Sequence, residues 1–88
     1  MTIPNSVESI GEYAFAECNS LTSAVIGNSV TSIGDYAFAK CNSLTSAVIG
    51  NSVTSIGDHA FGGCRITSVT IPNSVKKLGN LLSLIVLI

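Results

Sequence analysis

Five residues return at a fixed step along the chain. Ile3-Pro4-Asn5-Ser6-Val7 comes back as Ile26-Gly27-Asn28-Ser29-Val30, then as Ile49-Gly50-Asn51-Ser52-Val53, and after a one-residue deletion as Ile71-Pro72-Asn73-Ser74-Val75. A period of 23 residues is too short for each unit to bury an apolar face by itself, so the units must stack and share one continuous core. The sequence therefore predicts a repeat solenoid of about three and a half coils, in which equivalent residues lie one above another.

Aligned by this period, eight columns hold apolar residues. They are Leu21/Leu44/Ile66, Ala24/Ala47/Val69, Ile3/Ile26/Ile49/Ile71, Val7/Val30/Val53/Val75, Ile10/Ile33/Ile56/Leu78, Ala14/Ala37/Ala60, Phe15/Phe38/Phe61 and Cys18/Cys41/Cys64. These columns are the expected core. Apolar residues two apart, as in Ala24 and Ile26, mark a strand with one buried face, and stacking lays such strands side by side as a parallel sheet. Strands are expected near residues 22–26, 45–49 and 67–71. Gly27 and Gly50, or Pro4 and Pro72, end them. A second extended stretch leads to Gly11, Gly34 and Gly57. After it, Ala, Phe and Cys share one side of what reads as a short helical or 3-10 turn, with Glu12, Asp35 or Asp58 at its start, where an acidic residue suits a helix dipole.

The pattern Leu-x-x-Val-x-Ile-Pro-x-Ser-Val-x-x-Ile-Gly-x-x-Ala-Phe-x-x-Cys resembles the BspA-type leucine-rich repeat. Its Ile-Gly-x-x-Ala-Phe-x-x-Cys portion recurs as Ile10 to Cys18, Ile33 to Cys41 and Ile56 to Cys64. The resemblance implies a right-handed leucine-rich-repeat coil over residues 1–80, of a kind found at the surface of bacteria and some protozoa or secreted by them. It also implies a protein partner, a host-matrix or cell-surface protein. Gly27 and Gly50 depart from the family's proline, Ala24 and Ala47 thin the strand core, and the fourth unit loses Ala-Phe-x-x-Cys after Gly79.

Charge narrows the partners. Only 10% of residues are charged and the formal net charge is -1, so no basic stripe tracks a phosphate backbone and nucleic acid is not an expected partner. Met1-Thr2 aligns with Val69-Thr70 inside the repeat, so no signal peptide is expected in this chain. The apolar run Leu81 to Ile88 has eight residues where a membrane-spanning helix needs about 20.

No enzyme, cofactor or metal site is expected. Cys18, Cys41 and Cys64 form a straight ladder, which suits small core hydrophobes better than a tetrahedral ion, although the coil spacing would also allow one adjacent pair to close as a disulfide. His59 shares a column with Tyr13 and Tyr36, a site for ring stacking; it points away from the cysteine column and completes no catalytic set. Each Asn-Ser pair is followed by Val or Leu, so no glycosylation sequon exists.

The expected binding face is the outward side of the main strands: Ser23, Val25, Ser46, Val48, Ser68 and Thr70. Val25 and Val48 form an exposed pair there, either as a contact site or as β-formers filling a strand. The competing expectation is a self-assembling structural protein, a homo-oligomer joined at uncapped ends. Its carriers would be Leu82, Leu84, Ile85, Val86, Leu87 and Ile88, which fold back on the last coil or pack against another chain.

Overall fold

The structure, a computed structural model, describes residues 1–66, 68–79 and 85–87. Eight short strands follow one another: β1 (Ser9–Ile10), β2 (Ser23–Val25), β3 (Ser32–Ile33), β4 (Ser46–Val48), β5 (Ser55–Ile56), β6 (Ser68–Thr70), β7 (Lys77–Leu78) and β8 (Ile85–Leu87). Odd and even strands lie on different sides of the coil. β1, β3, β5 and β7 make one four-stranded parallel sheet, with Ser9 opposite Ser32 and Ile33 opposite Ile56. β2 pairs with β4, and β6 with β8. Register follows the repeat because each buried column must stay above itself; a one-residue slip would turn it outward.

The aromatic columns stack as expected. Phe15, Phe38 and Phe61 lie 5.1 and 5.2 Å apart between ring centres, and Phe38 is fully buried. Around them pack Ala37, Ala60, Leu44, Ile33, Ile56, Val30 and Val53, all fully or almost fully buried. Coil one is looser: Val7, Phe15, Cys18 and Leu21 are half-buried, while their second-coil equivalents Val30, Phe38, Cys41 and Leu44 are closed off.

The segments expected to be helical or 3-10 are neither. Residues 12–17 and 35–40 are linked turns, and Tyr13, Glu17, Tyr36, Lys40 and His59 have positive φ between 56° and 61°. Ala14 N–H donates to Gly11 O, and Ala16 N–H to Tyr13 O. Tyr13, Phe15 and Glu17 instead send their N–H groups to the Asp35, Ala37 and Ala39 carbonyls of the next coil, at 3.1, 2.8 and 2.8 Å. Tyr36, Phe38 and Lys40 repeat this toward Asp58, Ala60 and Gly62. A six-residue helix pays the full nucleation cost for very few bonds, whereas a stacked neighbour offers an acceptor at every second residue. Bonding along the axis wins.

The sheet expected to run through residues 22–26, 45–49 and 67–71 is also interrupted. Its strands appear at those places, yet among the described residues no ladder joins β4 to β6. At the same place the column Pro4/Gly27/Gly50/Pro72 changes from glycine back to proline. A Cβ at Gly27 would stand 2.4 Å from Ile3 O, and one at Gly50 2.5 Å from Gly27 O, so close stacking here requires the absence of a side chain. Pro72 lines the cavity that opens between β4 and β6.

Candidate binding face

Two alanines set the base of the candidate face. Ala24 is buried beneath β2 and Ala47 half-buried beneath β4, and strand alternation turns the flanking residues outward. Val25 is 39% and Val48 57% exposed, in direct register with one another. Ser46 and Thr70 are exposed, and Ser23 is half-buried. Ser68 takes its place in the backbone of β6. A patch of two valines edged by hydroxyls results, uncharged throughout.

The face is not the flat continuous surface that the repeat predicts. The seam between β4 and β6 forms a cavity of about 270 Å³ lined by Ala47, Val48, Ile49, Asn51, Thr70 and Pro72. Ala47, Ile49, Asn51 and Pro72 line it although the expected face did not include them; the available signal was the coincidence of a one-residue deletion with a return from Gly to Pro. A larger groove of about 540 Å³ crosses the four-stranded sheet, bounded by Ser32, Ser55, Asp35, Asp58 and Lys77. Asp35 Oδ1 accepts the Asp58 N–H there at 2.8 Å, so this carboxylate also ties two coils together.

Of the residues expected to drive self-association, Ile85, Val86 and Leu87 form β8, which pairs with β6 as Ser68 with Ile85 and Thr70 with Leu87. The end of the chain thus occupies the next strand place of its own solenoid after a shortened coil. Leu82, Leu84 and Ile88 lie outside the described residues.

The cysteines are free thiols in one column. Cys41 Sγ donates to Phe15 O at 3.1 Å and Cys64 Sγ to Phe38 O at 2.9 Å, which gives the column a hydrogen-bonding role between coils besides its packing. Burial pushes both thiols above the ordinary value of 9.0, Cys64 to about 11. A folded-state value above the unfolded one means that the unfolded chain loses its proton first as pH rises, so stability is full below pH 9 and falls between about 9 and 11. The urea midpoint should drop over that window, and Cys64→Ala should flatten the drop. An identical pH slope in the variant would remove the thiol from the account.

Tyr13, Tyr36 and His59 form a second ladder, with ring centres 5.1 and 5.2 Å apart, on the outer side of the turns. Among the described residues no three His, Cys, Asp or Glu side chains gather as metal ligands, and no helix is long and apolar enough to cross a membrane.

Comparison with known proteins agrees with this geometry. The sequence model of the BspA type leucine rich repeat region (6 copies) matches residues 1–82. Among solved structures, the T. pallidum leucine rich repeat protein superposes with a TM-score of 0.70 at 24% identity, covering 91% of this chain and 51% of that one. A leucine-rich repeat protein from Bacteroides ovatus gives 0.61 at 30% identity, over 92% of this chain and 28% of that one. A leucine rich cell surface protein from Faecalibacterium prausnitzii gives 0.58 at 23% identity, over 97% and 37%. The chain therefore spans between about a quarter and about half the length of these relatives. Comparison with curated protein sequences finds no match.

Proposed function

Since this chain belongs to the BspA-type leucine-rich repeat family, we propose that it is a non-catalytic protein-binding module, adhesin-like, that meets a host-matrix or cell-surface protein with the outward face of β2, β4 and β6. The observation that carries this reading is the Val25–Val48 pair, held in register and exposed beside the seam. A small apolar centre ringed by hydroxyls is the composition that protein partners desolvate most cheaply, with the rim setting register and the centre supplying affinity. A place at the cell surface fits the description of the F. prausnitzii relative.

The test is surface plasmon resonance of the chain over immobilised extracellular-matrix proteins. Val25→Lys with Val48→Lys should weaken any binding at least tenfold, because two ammonium groups would have to be desolvated in the contact. The fold should survive, since both positions are exposed. Binding that persists unchanged in the double variant would place the contact elsewhere.

A second reading, self-association through the ends, is favoured by the open state of coil one. Ala14 is exposed where Ala37 and Ala60 are closed, and a cavity of about 260 Å³ is lined by Ile3, Val7, Ile10, Ala14 and Phe15. In this reading residues 1–80 form the solenoid and 81–88 close or extend it.

A further inference from the structure

We propose that the seam between β4 and β6 holds a primary carboxamide, the side-chain end of a glutamine or asparagine brought by the partner protein. The proposal rests on the binding-module reading and names the group that anchors such a partner. On this side of the coil the stacking bonds form a series. Val25 N–H donates to Met1 O and Ile3 N–H to Val25 O, each at 2.8 Å; one coil on, Ile26 N–H donates to Val48 O, again at 2.8 Å. The next step of the series would join Thr70 N–H to Ala47 O and Ile49 N–H to Thr70 O. Among the described residues neither bond is made, and no ladder joins β4 to β6.

Because Val48 turns its C=O toward Ile26, strand alternation turns the Ala47 C=O and the Ile49 N–H the other way, into the seam. One acceptor and one donor therefore border the cavity of about 270 Å³, beside the side chains of Val48, Asn51, Thr70 and Pro72. Ile49 is buried and Ala47 half-buried, so these groups are costly to leave unmet. The same two positions in coil one, Met1 O and Ile3 N–H, are met by the N–H and C=O of Val25. The seam lacks that pair.

A partner that covers the Val25–Val48 pair also expels water from the adjoining seam, so it must bring a donor and an acceptor of its own. Every described lining residue is uncharged. An ammonium or a carboxylate would arrive there unneutralised, the first without an acceptor and the second without a donor. A carboxamide carries both side by side: its oxygen accepts from Ile49 N–H, its nitrogen donates to Ala47 O, and its methylenes lie against Val48 and Pro72. A whole inserted strand would need two ladder spacings, about 9.6 Å. The paired β5 and β7 hold the same two coils one spacing apart on the other side.

Nuclear magnetic resonance resolved by amide tests this on the intact chain. Ile49 N–H should exchange with solvent at least roughly tenfold faster than Ile26 N–H, which is bonded to Val48 O. Equal protection would mean a closed ladder and would overturn the site. Butanamide should shift the Ile49 amide saturably and leave Ile26 in place, whereas butanoate and butanone should move neither; no shift, or an equal shift with butanoate, overturns the carboxamide. Thr70 is exposed at the seam, so Thr70→Phe should melt like the parent, block the butanamide shift and weaken binding to a matrix protein roughly tenfold, the worth of two hydrogen bonds. Matrix binding that needs Val25 and Val48 but ignores Thr70→Phe overturns the seam site alone. A butanamide response in a chain that binds no matrix protein supports the site and overturns the reading of its partner.

Discussion

Phe38→Ala should cost about 3 to 5 kcal/mol of folding stability, read as a fall in the urea midpoint. Phe38 is fully buried, with Phe15 on one side at 5.1 Å and Phe61 on the other at 5.2 Å. Truncation leaves a cavity between two rings whose backbones are pinned by Phe15 N–H to Ala37 O and Phe38 N–H to Ala60 O, so the coils cannot collapse to fill it. Each lost ring contact carries about 0.5 to 1.5 kcal/mol beyond burial. A domain of this size commonly has a total of about 5 to 13 kcal/mol, so the variant should be marginal. Phe15→Ala supplies the comparison: its ring is half-buried and has a single stacked neighbour. It should cost distinctly less. Equal losses at the two positions would mean that the stack is not what holds the coils.

Gly50→Ala should destabilise by about 1 to 3 kcal/mol, the range for forcing extra volume into a packed site. The new Cβ would stand 2.5 Å from Gly27 O and 2.9 Å from Ile26 O. Both atoms are backbone, so no side chain can swing aside, and the second and third coils would have to separate. Gly11→Ala is the control. A Cβ at Gly11 meets nothing within 4 Å, and the change should be neutral or slightly stabilising through the unfolded chain. A Gly50→Ala variant as stable as the parent would show that coil spacing is adjustable at this column.

Much of this architecture can be read from the period alone, for a physical reason: in a stack of identical coils, sequence columns and spatial columns coincide. The Phe15/Phe38/Phe61 stack, the Tyr13/Tyr36/His59 ladder and the strands containing Val25 and Val48 follow from that identity. The helical turns do not appear because the spacing of Ala14, Phe15 and Cys18 suits a helix and a linked turn equally well. What decides between them is the acceptor offered by the next coil, a long-range partner that local pattern does not contain. The seam was hidden for another reason. Pro72 repeats Pro4 in the sequence, yet only Pro72 lines the cavity between β4 and β6. The candidate face was legible as a set of residues, and its notch was not.

Stacked coils communicate only with their immediate neighbours, so the energy that makes them melt together resides in the interfaces between them. The two interfaces between the first three coils carry hydrogen bonds on both strand sides and at the turns. The one between β4 and β6 keeps the β5–β7 ladder and the Arg65 N–H bond to Leu44 O, and lacks the strand pairing. Hydrogen exchange should therefore open this interface before the two that precede it, because it has no main-strand ladder to break.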